Sequence, residues 1–571
     1  MKTIRRLCIV LSAICGLMTV NATEWEAASA TTQGSKISIE SPEALGFFPP
    51  TISPINFTAT SFDSSVDKGD PPDTMGAVGL TQYVAFQNDV IRSFSKANGL
   101  PDGVLNLTPE VFWASLFPGS SAITTLSNFL LSDPRIRYDE LSNRWVITMG
   151  AFSIGGDPIP SLIMVAASNN STGIITSPTD FFFYSFVPAT VGTTPTTHPN
   201  YFPDFPTLGV DANVLIIGVN VFSDDSPFGA GGDTTSDVFV LLKSSLYNGT
   251  FDPTTTVDIQ SFRDLLNFNT GVGPYVPYGV DNFDPAPTQS YVVGAATPFT
   301  TGPIPFQDRN YLLVISNITS LSVAAAGISG NLIMPVAAGA AGRITLPPNL
   351  YSALNFFNPN GSIDTNDQRL CGAHVRNNQL YTCQTVGLNN QGIGPVYIDN
   401  AGDSDPSAAN RVTRAGARWY QYNMAAVTPT VAPTLVQTGT LFDSGLTLNN
   451  TINDTSYWMP SLMTNTASSL MLGYSETSTG TFVNAGFAIR HATDPLGLLH
   501  TQTDYTISGF PYNLIPDSTN FFGTTASHRW GDYSRVSLDP VDGSTFWLIE
   551  EYTLFKNTWG TRVISVPGTI N

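Results

Sequence analysis

Charged side chains are scarce in this sequence. Asp, Glu, Lys and Arg make up 12% of its 571 residues, about half the share of roughly 25% usual for a soluble domain. Coiled coils and long helices laced with salt bridges are thereby excluded. Cations are scarcer still, 24 against 44 acids for a net charge of −20. That sign repels phosphate backbones and no Lys/Arg cluster offsets it, so no nucleic acid is expected as a partner. Of the 24 cations 18 are Arg, which suits fixed, planar pairing better than a solvated surface. Long apolar runs are missing too. The stretch 321–342 is mostly Ala and Gly and is broken by Asn331 and Pro335, so no transmembrane anchor is expected. No Gly-x-Ser-x-Gly elbow, phosphate loop or dinucleotide fingerprint occurs, and the five His show no ligand spacing.

What is present is apolar and aromatic mass, 42% hydrophobic with 35 Phe, 20 Tyr and 8 Trp, enough for a large core. It is distributed in short runs. Those at 82–88, 144–150, 161–167, 214–221, 237–242, 289–296, 310–316, 379–386, 417–422, 469–474 and 545–554 are rich in Val, Ile, Leu and aromatics and bounded by Gly, Pro, Asn or Asp. That is strand chemistry. Ser261–Asn267 is the best short helical candidate. Strands cover the whole length with no linker to divide it, so one all-β body is expected. Three degenerate units recur: an Arg-Trp step at Arg144-Trp145, Arg418-Trp419 and Arg529-Trp530; a Leu-Gly strand entry; and an Asp-Pro turn. Scattered repeats of this kind favour a single large β-propeller of six to seven blades over sandwiches in series. Long inserted loops are expected at 170–205, 222–236 and 321–350.

The N-terminus carries an address. Lys2, Arg5 and Arg6 precede an apolar run from Leu7 to Val20, and Val20-Asn21-Ala22 offers small residues for cleavage. Fourteen apolar residues are too few for a membrane span, which needs about 20, so residues 1–22 read as a secretory signal peptide. Residues 23–60 read as a weakly ordered segment and 61–571 as the propeller. The expected location is secreted, periplasmic or cell surface. Two cysteines remain after cleavage, Cys371 and Cys383, flanking a strand-turn-strand pattern with Asn377 and Asn378 at its tip. Counting outward from the tip sets them opposite each other, within disulfide reach at an alpha-carbon spacing of about 4.5–5.5 Å. A disulfide is expected in an oxidising compartment.

Several phrases together resemble one family of secreted, mostly bacterial β-propeller-like proteins. They are Pro71-Pro72-Asp73-Thr74-Met75-Gly76-Ala77-Val78-Gly79, Asp133-Pro134 with Tyr138-Asp139 and Arg144-Trp145, and Asp204-Phe205-Pro206-Thr207-Leu208-Gly209-Val210. They continue at Tyr457-Trp458-Met459-Pro460-Ser461 and at Arg529-Trp530-Gly531-Asp532-Tyr533-Ser534, Asp539-Pro540 and Phe546-Trp547. The resemblance implies the propeller fold and secretion; it implies no catalytic residues. The segment from Asp539 through Gly543 to Trp547 is also similar to the Asp-box turn of sialidase-like propellers, a structural device in which Asp caps amides and Gly supplies a positive φ. The Arg-Trp pairs are read in the same structural sense.

Chemistry is sparse. Glu550, Glu551 and Tyr552, with Asp532, are the weak candidates for a carboxyl pair or a Tyr/Glu nucleophile. Asp63, Asp67, Asp70 and Asp73 gather four carboxylates in eleven residues, a weak calcium site by donor type but not by EF-hand spacing. No cofactor is required. The expected function is a monomeric propeller that binds an extracellular glycan or protein through its loop face. The alternatives are a sialidase-like glycoside hydrolase and a structural envelope protein.

Overall fold

The structure, a computed structural model, describes residues 55–568 apart from 63–70, 118, 120–124, 154–158, 193–200, 223–233, 268–269, 298–308, 337–361, 390, 393, 395–413, 445–454, 479, 501 and 513–526. Seven antiparallel sheets follow one another along the chain as the blades of a β-propeller. Their inner strands, which surround the axis, are Met75–Val78, Phe129–Asp139, Phe202–Asp204 with Gly209–Val210, Tyr275–Gly279, Leu370–Arg376, Ser456–Thr464 and Arg535–Leu538. We number the blades 1 to 7 in that order. The end of the channel where these strands begin is the entry mouth, and the end where they finish is the exit mouth.

The ring closes by mixing chain ends. In blade 7 the strands Arg535–Leu538, Phe546–Phe555 and Thr558–Val566 are completed on the outside by Asn56–Ser61, paired antiparallel from Asn56 opposite Ile564 to Ser61 opposite Gly560. The expected weakly ordered leader therefore yields its last residues to the sheet. A second tie crosses between blades 4 and 5, where Asp281–Asn282 leaves blade 4 and pairs in parallel with His374 and Val375. All eleven apolar runs lie on strands, because each presents β-branched and aromatic side chains to a neighbouring blade. The helical candidate does not hold: Ile259–Phe262 is the outer strand of blade 3, and short helices occupy Pro109–Phe112 and Lys243–Asn248 instead. Two of the expected loops also contain sheet, with Phe181–Phe186 completing blade 2 and Leu332–Pro335 pairing in blade 4. No helix among the described residues is long and apolar enough to cross a membrane.

Asp281 fastens the ring from inside. Its carboxylate accepts Nε of Arg137 from blade 2 at 2.8 Å, the Val210 N–H of blade 3 at 3.1 Å and Nη2 of Arg535 from blade 7 at 2.9 Å. Beside it the inner strands of blades 3 and 4 meet backbone to backbone at Gly209 and Gly279, where any Cβ would collide with the facing main chain.

The inner strands share a kink. A non-glycine residue with positive φ sits where the strand enters the channel in six blades: Asp73 (48°), Asp133 (64°), Phe205 (56°), Val276 (49°), Asn366 (59°) and Met459 (47°). In four of them it precedes a proline, Pro134, Pro206, Pro277 and Pro460. The ladder slips at the same level in blades 2, 4 and 6. Such bulges re-aim side chains, and a positive φ is costly for Val and other bulky residues. The Arg-Trp steps, by contrast, are not equivalent. Arg144-Trp145 opens the second strand of blade 2, Arg418-Trp419 lies within the third strand of blade 5, and Arg529-Trp530 precedes the inner strand of blade 7.

Deleting residues 1–61 strips the outer strand of blade 7 and exposes the Thr558–Val566 edge. The expected result is a loss of several kcal/mol, read as a melting temperature lowered by about 5 °C or more, with aggregation. An unchanged melting curve would contradict this mode of closure.

Candidate functional site

The kinks bring carboxyl groups from separate blades to the entry mouth. Asp73 precedes the inner strand of blade 1, Asp133 stands in the kink of blade 2, Asp204 ends the first part of blade 3, and Asp532 precedes blade 7. Asp364 and Asp367 approach from the side of blade 5. Asn88 binds the first two: its Nδ2 donates to Asp73 Oδ2 at 2.7 Å, and its Oδ1 accepts the Asp133 N–H at 3.0 Å. Asp73 Oδ1 in turn accepts the Asp532 N–H at 2.9 Å, joining blade 1 to blade 7 across the closure. The Asp532 carboxylate is held by Asn366 Nδ2 at 2.9 Å and Arg529 Nη2 at 3.2 Å.

Beneath these lies a cationic and aromatic floor. Arg369 grips Asp367 with two bonds, at 2.8 and 2.7 Å, and Tyr275 donates to the same carboxylate at 2.8 Å. The Arg369 guanidinium stands 4.3 Å from the centre of the Phe205 ring, and that of Arg135 lies 3.4 Å over Tyr533. Both guanidiniums thus stack on aromatic rings contributed by other blades, Phe205 from blade 3 and Tyr533 from the entry to blade 7.

Asp204 differs from its neighbours. Asp73 and Asp133 are buried, while Asp204 and Asp532 are partly exposed. The Asp204 carboxyl makes no hydrogen bond among the described residues. Enclosure by the surrounding chain, and then the negative charge of Asp133, push its pKa up to about 7 against the opposing pull of Arg369. Burial, followed by repulsion from Asp532, also raises Asp73 and Asp133. Asp367 goes the other way: burial would raise it, but the Arg369 charge and the bonds from Arg369 and Tyr275 bring it below the usual range. One mouth thus holds carboxyl groups tuned in opposite directions, a pattern that marks acid–base sites.

Of the residues singled out from sequence, Asp532 and Asp73 reach this mouth. Glu550, Glu551 and Tyr552 lie on the second strand of blade 7 and diverge. Glu551 Oε2 accepts the Gly531 N–H at 2.9 Å and so props the turn that carries Asp532. Glu550 is buried, and burial holds its pKa well up against bonds from Ser534 and Ser475. The Tyr552 hydroxyl points outward to Thr58 Oγ1 at 3.4 Å. No Tyr/Glu nucleophile pair is assembled from these residues. Asp63, Asp67 and Asp70 lie outside the described residues, and among those described no group of three or more His, Cys, Asp or Glu is arranged to hold a metal ion.

The expected disulfide is corrected. Cys371 and Cys383 are both free thiols. The strand slips between Leu370 and Gly372, so Cys371 is the bulged residue and Cys383 faces Gly372. The Cys371 Sγ turns to the Arg369 carbonyl at 3.6 Å and the Cys383 Sγ to the Pro460 carbonyl at 3.3 Å. Burial raises both thiols, Cys371 to about 12. The remaining motifs form structural contacts. Trp145 Nε1 donates to the Gly173 carbonyl at 3.0 Å, Arg144 reaches the Ser168 carbonyl at 2.6 Å, and Arg418 Nε bonds Thr440 at 2.6 Å. Trp419 is buried in a blade interface, and Trp530 Nε1 donates to Ser475 at 3.2 Å. Asp539 accepts from the Val541 N–H at 2.9 Å and from Trp547 Nε1 at 3.2 Å, while Gly543 takes φ 59° in the hairpin turn.

Asp204, Asp133, Asp367 and Arg369 belong to the mouth without having been read from sequence as site residues. The sequence signal beside the first two was an X-Pro step, Asp133-Pro134 and Phe205-Pro206, recurring at Val276-Pro277 with the prolines at intervals of 72 and 71 residues.

No protein-family model matches the sequence, and no curated protein is similar to it at the level of sequence. Among solved structures the chain is similar to a protein of unknown function from Dyadobacter fermentans, with TM-score 0.35, 9% identity and coverage of 77% of this chain and 95% of that one. It is similar to the hemagglutinin-neuraminidase ectodomain of parainfluenza virus 5, with TM-score 0.33, 12% identity and coverage of 77% and 81%. A Trypanosoma rangeli sialidase in complex with the inhibitor DANA gives TM-score 0.29 and 11% identity over 76% of this chain and 54% of that one. At these scores the likenesses carry no argument about the site; the fold rests on the strand pairings.

A carboxyl group whose pKa is raised on folding favours the fold below its unfolded pKa, and that contribution is lost as pH rises to the folded value. For Asp204 the window runs from the ordinary aspartate value of 3.8 to about 7. Asp204→Asn, neutral throughout, is expected to match the wild type in unfolding free energy near pH 4 and to exceed it at pH 8 by roughly 2 kcal/mol. A variant equally or less stable at pH 8 would contradict the assigned environment.

Proposed function

We propose that the protein is an extracellular glycoside hydrolase whose active site is the entry mouth, with Asp204 as the general acid and Asp532 as its carboxylate partner. The observation that carries this reading is the Asp204 carboxyl, partly exposed, without a hydrogen bond among the described residues and with its pKa pushed up to about 7 by burial and the Asp133 charge, beside a carboxylate already gripped by Arg529 and Asn366. Cleaving a glycosidic bond needs a pair of this kind, one group to protonate the leaving oxygen and one to activate water or attack the sugar. Asp204 gives its proton to the departing alcohol. Either water bonds to the anomeric carbon and gives its proton to Asp532, or Asp532 bonds there first and water then cleaves that glycosyl ester, giving its proton to the now ionised Asp204 and freeing Asp532.

The remaining residues support that division of labour. Glu551 fixes the turn that carries Asp532, and Asn88 and Asp73 hold that turn against blade 1. The low cationic content of the chain suits a neutral or acid-tolerant polyhydroxylated ligand better than a phosphorylated one. The basic, apolar and small-residue order of residues 1–22, together with the motifs resembling a secreted propeller family, supports a setting outside the cytoplasm. Binding without turnover, through the same mouth, is the reading to which the protein falls back if chemistry is absent.

A panel of aryl glycosides and plant and bacterial polysaccharides tests this. The wild type is expected to release sugar from at least one, with kcat/KM declining as pH rises past about 7 because Asp204 loses its proton. Asp204→Asn and Asp532→Asn should each cost about 10²–10⁴ in rate, while Asp542→Asn, on the exposed hairpin of blade 7, should cost nothing. Glycan binding with no turnover in the wild type would replace hydrolysis with recognition. Neither binding nor turnover would overturn the assignment of this mouth to glycans.

A further inference from the structure

The exit mouth, at the opposite end of the channel, carries a charge imbalance that neither the fold nor the proposed hydrolysis uses. It opens between the ends of the inner strands as a small cavity of about 40 Å³, with Leu141 at its rim and Ala77 and Val78 on its wall. Five charged residues line it: Arg137, Asp139, Glu140, Asp281 and Arg535. Each of the three acids has a cation of its own. Asp139 pairs with Lys243 at 2.9 Å, Glu140 with Arg376 at 3.3 Å, and Asp281 with Arg137 at 2.8 Å.

Arg535 is left over. It shares Asp281 with Arg137 through a single bond from Nη2 at 2.9 Å. Its Nε is buried and has no partner among the described residues, and the residue is 7% exposed. Arg137 stands in contrast, with Nη1 on the Ile136 carbonyl at 2.9 Å and Nη2 on the Leu208 carbonyl at 2.8 Å. A buried guanidinium that shares its counter-charge with a second arginine and leaves a buried donor without an acceptor is unfavourable. Burial, and then the Arg137 charge, lower the pKa of Arg535 despite the pull of Asp281, as an excess of positive charge requires. Water would satisfy the donors but not the charge.

We propose that the exit mouth binds a small monovalent anion, either the carboxylate group of an acidic ligand or a halide ion, on Arg535. A carboxylate matches the planar fork of a guanidinium with two parallel bonds, and a halide would take the same donors as a point charge. The site lies where the inner strands end, whereas Asp204 stands where they begin, so it stands or falls independently of the hydrolase reading.

The test is the melting temperature of the full chain at fixed ionic strength, titrated with sodium acetate or sodium chloride in place of a bulky sulfonate buffer salt. The expected result is a saturable rise with acetate, chloride or both; acetate alone assigns a carboxylate ligand, and a response to chloride assigns a halide site. Arg535→Gln should lose at least tenfold in apparent affinity. Glu140→Gln, at the partly exposed rim, keeps the Asp281 hub intact, removes a negative charge and should tighten the affinity severalfold, which keeps the proposal testable if the Arg535 variant does not fold. A wild type indifferent to anion identity would overturn it, as would an unchanged response in both variants.

Discussion

The structure depends on one shared carboxylate. Asp281 sits where chain from blade 4 is laid in parallel on blade 5, and it draws in Arg137, the Val210 amide and Arg535. Four sectors of the ring meet on a single side chain. A propeller has no continuous hydrogen-bonded seam between blades, since each sheet pairs only within itself and the interfaces are side-chain packing. A buried ionic hub at the axis supplies direction that apolar packing lacks, because its strength falls steeply if one blade shifts. The closure of blade 7 by Asn56–Ser61 does at the rim what Asp281 does at the centre.

That hub also divides the channel. Below it Arg535 is in excess, and above it Arg135, Arg369 and their aromatic partners form a floor. Above the floor the kinked strand entries deliver acids. The kinks are the link between fold and chemistry: a residue with positive φ turns the chain inward at one level in six of the seven blades. Three of those residues, Asp73, Asp133 and Asn366, place polar side chains in the entry mouth, and in blade 3 Asp204 stands one position before its kink at Phe205. Backbone strain of this kind persists where the surrounding structure fixes it and concentrates at functional sites.

Much of this fold was legible. Runs such as 214–221 and 545–554 could be read as strands because their β-branched and aromatic residues alternate between two blade interfaces and are bounded by turn residues. The scarcity of charge was legible as well, and its meaning is now concrete: Arg137, Arg369 and Arg535 are each buried on a specific acid. The repeat was read from the wrong feature. Arg-Trp steps are conspicuous but fall at three unrelated heights, whereas the X-Pro entry is chemically variable at X, as Asp133, Phe205, Val276 and Met459 show, and only its backbone angle is constant. The cysteines failed for a related reason, since the bulge at Cys371 shifts the register by one residue and a count outward from the turn does not see it. Asp204 was hidden because a free carboxyl is defined by what surrounds it, and its neighbours come from blades 2, 5 and 7.

The central claim is that Asp204 holds a proton near neutrality in the entry mouth. Infrared difference titration of the wild type against Asp204→Asn measures it directly through the carboxylic acid C=O band. The account predicts a band in the wild type, missing from the variant, that disappears with a midpoint near pH 7. Loss of that band around pH 4, the range of an ordinary solvated Asp, would contradict it.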